Sequence, residues 1–210
     1  MQIIYYILEA GVCMNLDSFK WINKSKLSID GSTLTIYAPA KTDYFNNPIP
    51  KEDGSFMEPQ GNAPFLYTDV EGDFVAKVRV KQNYKTDFDA GCLMVIQDEN
   101  LWIKAALEKS DFDTVAVVSV VTNKISDDAN GCNTTAEYVW LQIARVKNNF
   151  AIHYSLDGVK FDMVRVLFLP VDKIVKVGIE AQCPTGEGDE RIFTDFYIEK
   201  RTITNLRAGK

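Results

Sequence analysis

Three consecutive segments between residues 89 and 122 constrain the fold of this chain most strongly. Residues 91–97 are an apolar run, a polar turn follows at 97–100, and residues 101–108 return with strict alternation of apolar and other side chains. After a second polar turn, residues 115–121 are rich in β-branched side chains. Because such runs between polar turns are typical of β-strands, the region predicts three strands joined by tight turns.

The same pattern recurs along the rest of the chain. Further strands are predicted over residues 74–81, 138–146, 150–155, 161–169, 174–183 and 192–200. The pair Asp30-Gly31 between two short alternating runs predicts a hairpin with a type I′ turn. No window shows the helical period of about 3.6 residues. Many short strands separated by turns at spacings of about ten residues predict an all-β sandwich of two antiparallel sheets.

Two long polar segments are predicted to be loops. Residues 39–66 hold five of the seven prolines, and residues 122–135 are mostly polar. Long loops without regular structure are commonly functional or disordered. The aromatic side chains Tyr44, Phe45, Phe56 and Phe65 favour a loop over 39–66 that packs against the body of the protein.

The length of 210 residues suits one sandwich-sized domain. We predict a single domain over residues 14–205 followed by a tail at 206–210. Met14 opens a more ordinary start than Met1, so residues 1–13 are interpreted as a non-native or upstream extension. No run of about 18 apolar residues is present, so no membrane span is predicted, and the net charge of −6 without a Lys/Arg cluster makes a membrane partner unexpected.

Charge and cysteine spacing exclude several classes of function. The net charge is −6, and no cluster of Lys and Arg forms a stripe, so a nucleic-acid partner is not expected. The four cysteines are Cys13, Cys92, Cys132 and Cys183, and none belongs to a C-x-x-C pair. Metal-ligand spacing is absent, and no metal or other cofactor is predicted. Reduced thiols in a chain of this length favour a cytoplasmic protein.

The second strand of the opening region carries an unusual outward face. Leu101, Ile103, Ala105 and Leu107 are predicted to face the core, since strand side chains alternate. An aromatic ring, charged groups and amides occupy this strand's other face and the outward registers of later strands: Trp102, Lys104, Glu108, His153, Glu180 and Gln182. Sugar recognition combines an aromatic plate with such polar groups, and we predict a ligand-binding face of these residues, with Trp102 as the platform. The alternative is a merely polar sheet face on which Lys104 pairs with a glutamate.

Several motifs in series resemble a known family. The motifs include residues 73–74, 89–95, 102–104, 119–122, 154–158, 163–165 and 182–186, and the match runs in order from about residue 16 to residue 200. They resemble the "regulation of enolase" family of concanavalin A-like domains. The resemblance implies a two-sheet jelly roll of the lectin and glucanase type, an intracellular protein and an effect on a glycolytic enzyme. It supplies no agreed activity.

Three functions are compatible with these observations. The first is a non-catalytic domain that binds a carbohydrate or a sugar-like metabolite on the concave sheet. The second is a regulatory protein that binds a metabolic enzyme through the same face or through residues 39–66. The third is a glycoside hydrolase, for which Glu108 and Glu180 would form the carboxylate pair, although the Glu-x-Asp-x-x-Glu pattern is absent. No catalytic residue is predicted, and an enzyme is the less favoured reading.

Overall fold

The computed structural model describes residues 18–56 and 58–210, which form β-strands and no α-helix. The strands in chain order are β1 (Lys20–Ile22), β2 (Leu27–Asp30), β3 (Thr33–Pro39), β4 (Tyr44–Phe45), β5 (Gln60–Gly61), β6 (Phe65–Glu71), β7 (Phe74–Lys81), β8 (Ala90–Asp98), β9 (Leu101–Lys109), β10 (Val115–Asn123), β11 (Ile125–Asn133), β12 (Tyr138–Val146), β13 (Asn149–Ser155), β14 (Asp162–Phe168), β15 (Ile174–Gln182) and β16 (Gly188–Glu199). The predicted extension at residues 1–13 lies outside the described residues. Within the described part of the chain, no helix has the length and apolarity that a membrane span requires.

Two seven-stranded antiparallel sheets make up the body of the protein. The first sheet has the order β1-β6-β15-β8-β9-β10-β11, and the second has the order β14-β13-β12-β7-β16-β3-β2. Strands β4 and β5 pair separately. The two-sheet sandwich predicted from the strand pattern is confirmed.

The main core lies between the sheets and follows the alternation of the strands. Ile103, Ala105 and Leu107 of β9 point into it and are fully buried, as the sequence predicts. The sheets approach closely where β8 crosses the second sheet, because a Cβ at Gly91 would lie 2.7 Å from Cγ1 of Val80. The opposite face of β9 is thereby directed away from the sandwich, on the outer side of the first sheet.

The loop predicted over residues 122–135 is wrong, because β11 occupies most of it. β11 pairs with β10 after a tight turn at Lys124, whose φ is 68°. As the edge strand of the first sheet, β11 has few buried side chains, so its sequence lacks the apolar alternation that marks a strand. Backbone hydrogen bonds to β10 define the strand where the side-chain pattern does not.

The hairpin at Asp30-Gly31 is confirmed, but its predicted type I′ turn is wrong. Asp30 pairs with Thr33, so the two central residues of the turn are Gly31 and Ser32. Only Gly31 has a positive φ, at 56°. Glycine at the first central position is the requirement of a type II′ turn, the other common two-residue hairpin connection.

Candidate functional site: the covered face of the first sheet

The outer face of the first sheet carries a second apolar cluster, separate from the core between the sheets. Its buried members come from the sheet and from the segment that covers it: Tyr44, Ala63, Phe65, Tyr67, Ala90, Cys92, Met94, Ile96, Trp102, Ala106, Ala116, Val118 and Val120. We call residues 42–56 and 58–63 the covering segment, and we call the outer face of the first sheet beneath it the covered face. The prediction that residues 39–66 pack over the body of the protein agrees with this arrangement.

Residues 42–46 form the first limb of the covering segment, which is tied to the sheet at both ends. Thr42 and Cys183 exchange backbone hydrogen bonds of 3.3 and 3.2 Å at the end of β15. At the other end, the amide of Asn46 donates to Oγ of Ser126 at 2.9 Å, and the amide of Ser126 donates to the Asn46 carbonyl at 2.9 Å. The limb therefore crosses the sheet from β15 to the turn between β10 and β11.

Trp102 lies beneath this limb. The ring of Tyr44 packs edge-on against the Trp102 ring, with centroids 6.0 Å apart and an interplanar angle of 77°. The indole Nε1 donates to the carbonyl of Glu99 at 3.3 Å. Trp102 is 1% exposed, so its ring supports the covering segment and presents no open plate to solvent.

Lys104 is the charged centre of the covered face. Its Nζ donates to Oδ1 of Asp43 at 3.3 Å, to the carbonyl of Tyr44 at 3.0 Å and to Oε1 of Gln182 at 2.8 Å. Burial acts to lower the pKa of Lys104, but Asp43 and the other acidic groups around it outweigh that effect and raise the pKa. Lys104 therefore stays protonated although it is only 2% exposed.

Two glutamates share this face with Lys104. Burial raises the pKa of Glu108 to about 8 and that of Glu180 to about 7, against an ordinary value of 4.5, while Lys104 acts in the opposite direction. Glu180 is 0% exposed, and only the Cys92 thiol lies beside its carboxyl, since no nitrogen or hydroxyl donor of the described residues bonds to it. A buried carboxyl whose only hydrogen-bond partner is a weak thiol donor carries a desolvation cost, and such groups concentrate at functional sites.

The strand register separates the two glutamates along and across the sheet. Glu180 lies opposite Cys92, which lies opposite Ala106, and Glu108 is two residues further along β9. From ordinary strand spacings, their Cα atoms are about 12 Å apart. No group of three or more His, Cys, Asp or Glu side chains among the described residues is arranged to hold a metal ion.

A cleft of about 520 Å³ opens beside the covered face. Its lining combines apolar surface with amide, carboxylate and ammonium groups: Ile22, Tyr44, Glu58, Pro59, Gln60, Gly61, Ile96, Asp98, Glu99 and Lys176. The volume falls in the range of sites for small molecules, about 300–1,000 Å³. Tyr44 and Glu99 connect the cleft to Trp102 through the contacts described above.

The structure brings together five of the six side chains predicted as ligand contacts. Trp102, Lys104, Glu108, Glu180 and Gln182 share the outer face of the first sheet, and all are buried. A ligand could touch them only after the covering segment moved. The shared face follows from strand alternation, but burial under a distant loop has no local signal in the sequence.

His153 lies elsewhere, on β13 of the second sheet. Its Nδ1 is 3.2 Å from Nε2 of Gln142, and its Nε2 is 3.3 Å from the carbonyl of Arg207 in the C-terminal segment. Burial lowers the pKa of His153, which favours the neutral ring. His153 therefore anchors residues 206–210 to the outer face of the second sheet, and the structure does not bring it near Trp102.

Sequence reasoning missed the residues that complete the covered face. Asp43 and Tyr44 come from the loop, and the cleft residues Gln60 and Lys176 come from different elements. The aromatic residues of the loop were the available signal that it packs inward. They did not show which strand it would cross.

Comparison with known proteins places this fold in a defined family. The model of a family described as "Protein of unknown function (DUF1349)" matches residues 21–201. "Regulation of enolase protein 1" from Saccharomyces cerevisiae is 28% identical over 180 residues, which cover 85% of this chain and 87% of the relative.

Solved structures show the same architecture. A functionally unknown protein from Saccharomyces cerevisiae superposes with a TM-score of 0.79 at 26% identity, covering 89% of this chain and 98% of the other. A legume lectin-like domain from Entamoeba histolytica superposes with a TM-score of 0.55 at 11% identity, covering 89% of this chain and 92% of the other. The predicted concanavalin A-like jelly roll is confirmed.

Proposed function

The chain belongs to the DUF1349 family. We propose that it is a non-catalytic binding domain for a carbohydrate or a sugar-like metabolite. The observation that carries the proposal is the cleft of about 520 Å³ beside the covered face. Ile22 and Pro59 offer apolar surface to a sugar ring, and Asp98 and Lys176 offer charged groups to its hydroxyls.

Two further observations support this function. One solved structure with the same fold is named a legume lectin-like domain. Next to the cleft, Lys104, Glu108, Glu180 and Gln182 form a polar group inside an apolar cluster. Movement of residues 42–46 would add these side chains to the cleft as contacts for further hydroxyls.

A thermal-shift screen of monosaccharides and oligosaccharides tests the proposal. A sugar at 100 times its dissociation constant is expected to add about 2.7 kcal/mol to the free energy of unfolding. Asp98→Asn and Lys176→Met each remove one charged contact in the cleft, and each is expected to weaken binding about tenfold. Asp111→Asn, which changes an exposed carboxylate outside the cleft, is the matched control and should bind like the wild type.

Two results would contradict this proposal. One is the absence of any shift across the screen. The other is a sugar-induced shift that Asp98→Asn and Lys176→Met leave unchanged, because binding would then lie outside the cleft.

A second candidate function is regulation of a metabolic enzyme through direct contact. The yeast relative's name refers to regulation of enolase. In the present chain, β14 is the edge strand of the second sheet and exposes Met163, Val166 and Phe168, the last of which is 64% exposed. An edge strand with exposed apolar side chains can bind another protein.

Purified enolase provides the test of this second function. We expect the wild-type chain to retain enolase on an affinity resin and Phe168→Asp to lose most of that binding, because a charge would enter an apolar contact. Phe112→Asp, at a similarly exposed phenylalanine on the turn between β9 and β10, is the matched control. Equal retention by the wild type and Phe168→Asp, or no retention by either, would reject a contact through β14.

A further inference from the structure

The outer face of the second sheet carries a row of cations on β7. Lys77, Arg79 and Lys81 alternate with Val78 and Val80, which are fully buried in the core, so the three cations point outward together. Successive members of the row have Cα atoms about 6.8 Å apart, since a strand rises about 3.4 Å per residue. The row lies near the centre of the sheet, between β12 and β16.

Aromatic rings flank this row on both sides. On β12, Tyr138 lies opposite Lys81 and Trp140 lies opposite Arg79. The guanidinium of Arg79 is 4.1 Å from the centroid of the Tyr138 ring. Nζ of Lys77 lies 4.3 Å from the centroid of the Phe161 ring. The aromatic rings and the cations therefore form one continuous surface.

A bulge in β16 adds one more ring. The pairing of β16 with β7 shifts between Thr194 and Tyr197, and this places Tyr197 opposite Lys77 while Phe196 enters the core. Without the extra residue, the register would put Phe196 on the outer face. β-Bulges redirect side chains in this way and are frequent beside functional sites.

These aromatic rings do not contribute to the packing of the protein interior. Tyr138, Trp140, Phe161 and Tyr197 are each partly exposed, and none belongs to or packs against the buried clusters of the described residues. Trp140 is held in place from one side by the turn at Gly158, where an added Cβ would lie 2.8 Å from its Nε1. Four partly exposed aromatic rings on one surface, one of them a tryptophan held by a neighbouring turn, are typical of a binding site.

The positive charge of the row is largely uncompensated. Among the described residues, Lys77 and Arg79 have no carboxylate partner, and Lys81 pairs only with the exposed Glu137 at 3.4 Å. Glu199 and Arg201 pair with each other at 2.9 Å and both act on Lys77, Glu199 by attraction and Arg201 by repulsion. The row is therefore a local positive site on a chain whose net charge is −6.

We propose that Lys77, Arg79 and Lys81, together with Tyr138, Trp140 and Tyr197, form a binding site for a phosphorylated monosaccharide. A planar guanidinium matches two phosphate oxygens, and an ammonium group on either side adds charge. Aromatic faces pack against the apolar face of a sugar ring. The row of cations is only about 14 Å long, which suits one phosphate and its sugar better than a nucleic-acid backbone.

This site is independent of the cleft on the first sheet, because the two sheets face in opposite directions. Glucose 6-phosphate is the probe, measured by isothermal titration calorimetry and by quenching of tryptophan fluorescence. The wild type is expected to bind glucose 6-phosphate at least about tenfold more tightly than either glucose or inorganic phosphate, because only the phosphorylated sugar uses both the cations and the rings. Binding should weaken at high salt.

Single substitutions test which residues form the binding site. Arg79→Gln is expected to weaken binding of glucose 6-phosphate by about tenfold or more, with Arg79→Lys intermediate. Lys20→Gln, which removes one exposed cation from the first sheet, is the matched control for charge, and Asp98→Asn is the control for the cleft. Lys81→Gln gives the same test if circular dichroism shows that Arg79→Gln does not fold.

Three results would overturn the proposal. The first is no binding of glucose 6-phosphate at millimolar concentration. The second is an equal loss in Lys20→Gln, which would indicate general charge attraction. The third is a loss confined to Asp98→Asn, which would move binding to the cleft and support the proposed function without this site.

Discussion

Replacement of Trp102 by alanine is expected to lower the free energy of unfolding by about 3–5 kcal/mol. The indole is 1% exposed, packs edge-on against Tyr44 and donates to the carbonyl of Glu99. Its removal would leave a cavity beneath the covering segment, because that segment is tied to the sheet at Thr42 and Asn46 and cannot collapse freely. Urea denaturation followed by circular dichroism measures the loss.

Trp140→Ala is the matched control for this experiment. Trp140 is also a tryptophan on an outer sheet face, but it is partly exposed and packs against none of the buried clusters of the described residues. Its replacement is expected to cost about 1 kcal/mol. If the two variants lose equal stability, Trp102 does not support the covering segment, and an open aromatic platform at Trp102 becomes the better description.

The contrast between these two tryptophans shows what the sequence could predict. Strand alternation assigned Trp102 to the face opposite Ile103, and the structure confirms it. Alternation describes one strand at a time, however, and does not state whether a face is open. That depends on the path of residues 42–46, which is decided by contacts with Cys183 and Ser126 far away in the chain.

His153 illustrates a second limit. Its alternation within β13 is as regular as that of Trp102 within β9, and the sequence placed both on outward faces. The two strands belong to different sheets, which is a property of the strand order. Pairing between strands distant in sequence depends on the whole fold, so the sequence could predict the two faces but not their separation. β11 shows the converse case, because its backbone pairs with β10 although its side-chain pattern does not predict a strand.

Lys104→Met is expected to lower the free energy of unfolding by about 3–5 kcal/mol at neutral pH. Methionine keeps most of the volume of the side chain but removes the charge and the contacts of Nζ with Asp43, Tyr44 and Gln182. Removing one partner of a buried ionic group leaves the other partners uncompensated. Lys173→Met, which breaks an exposed ion pair with Glu71, is the matched control and should cost about 0–1 kcal/mol.

The dependence of this loss on pH distinguishes the charge of Lys104 from its packing. The pKa values of Glu108 and Glu180 are raised from 4.5 to about 8 and about 7, so the native state binds protons more tightly than the unfolded chain. Their contribution to stability is present below the unfolded pKa and is lost as the pH rises through 7 and 8. Because Lys104 lowers both pKa values, its removal raises them further.

The deficit of Lys104→Met should therefore be larger at pH 9 than at pH 6, when both proteins are compared by urea denaturation at each pH. The double variant Lys104→Met/Glu180→Gln is expected to recover part of the loss at pH 9, since an amide carries no charge that requires compensation. A deficit that is equal at pH 6 and pH 9 and is not reduced in the double variant would mean that Lys104 acts through its packing alone. In that case the carboxyls of the covered face would not be electrostatically coupled to it, and the covered face would be an apolar support for the covering segment.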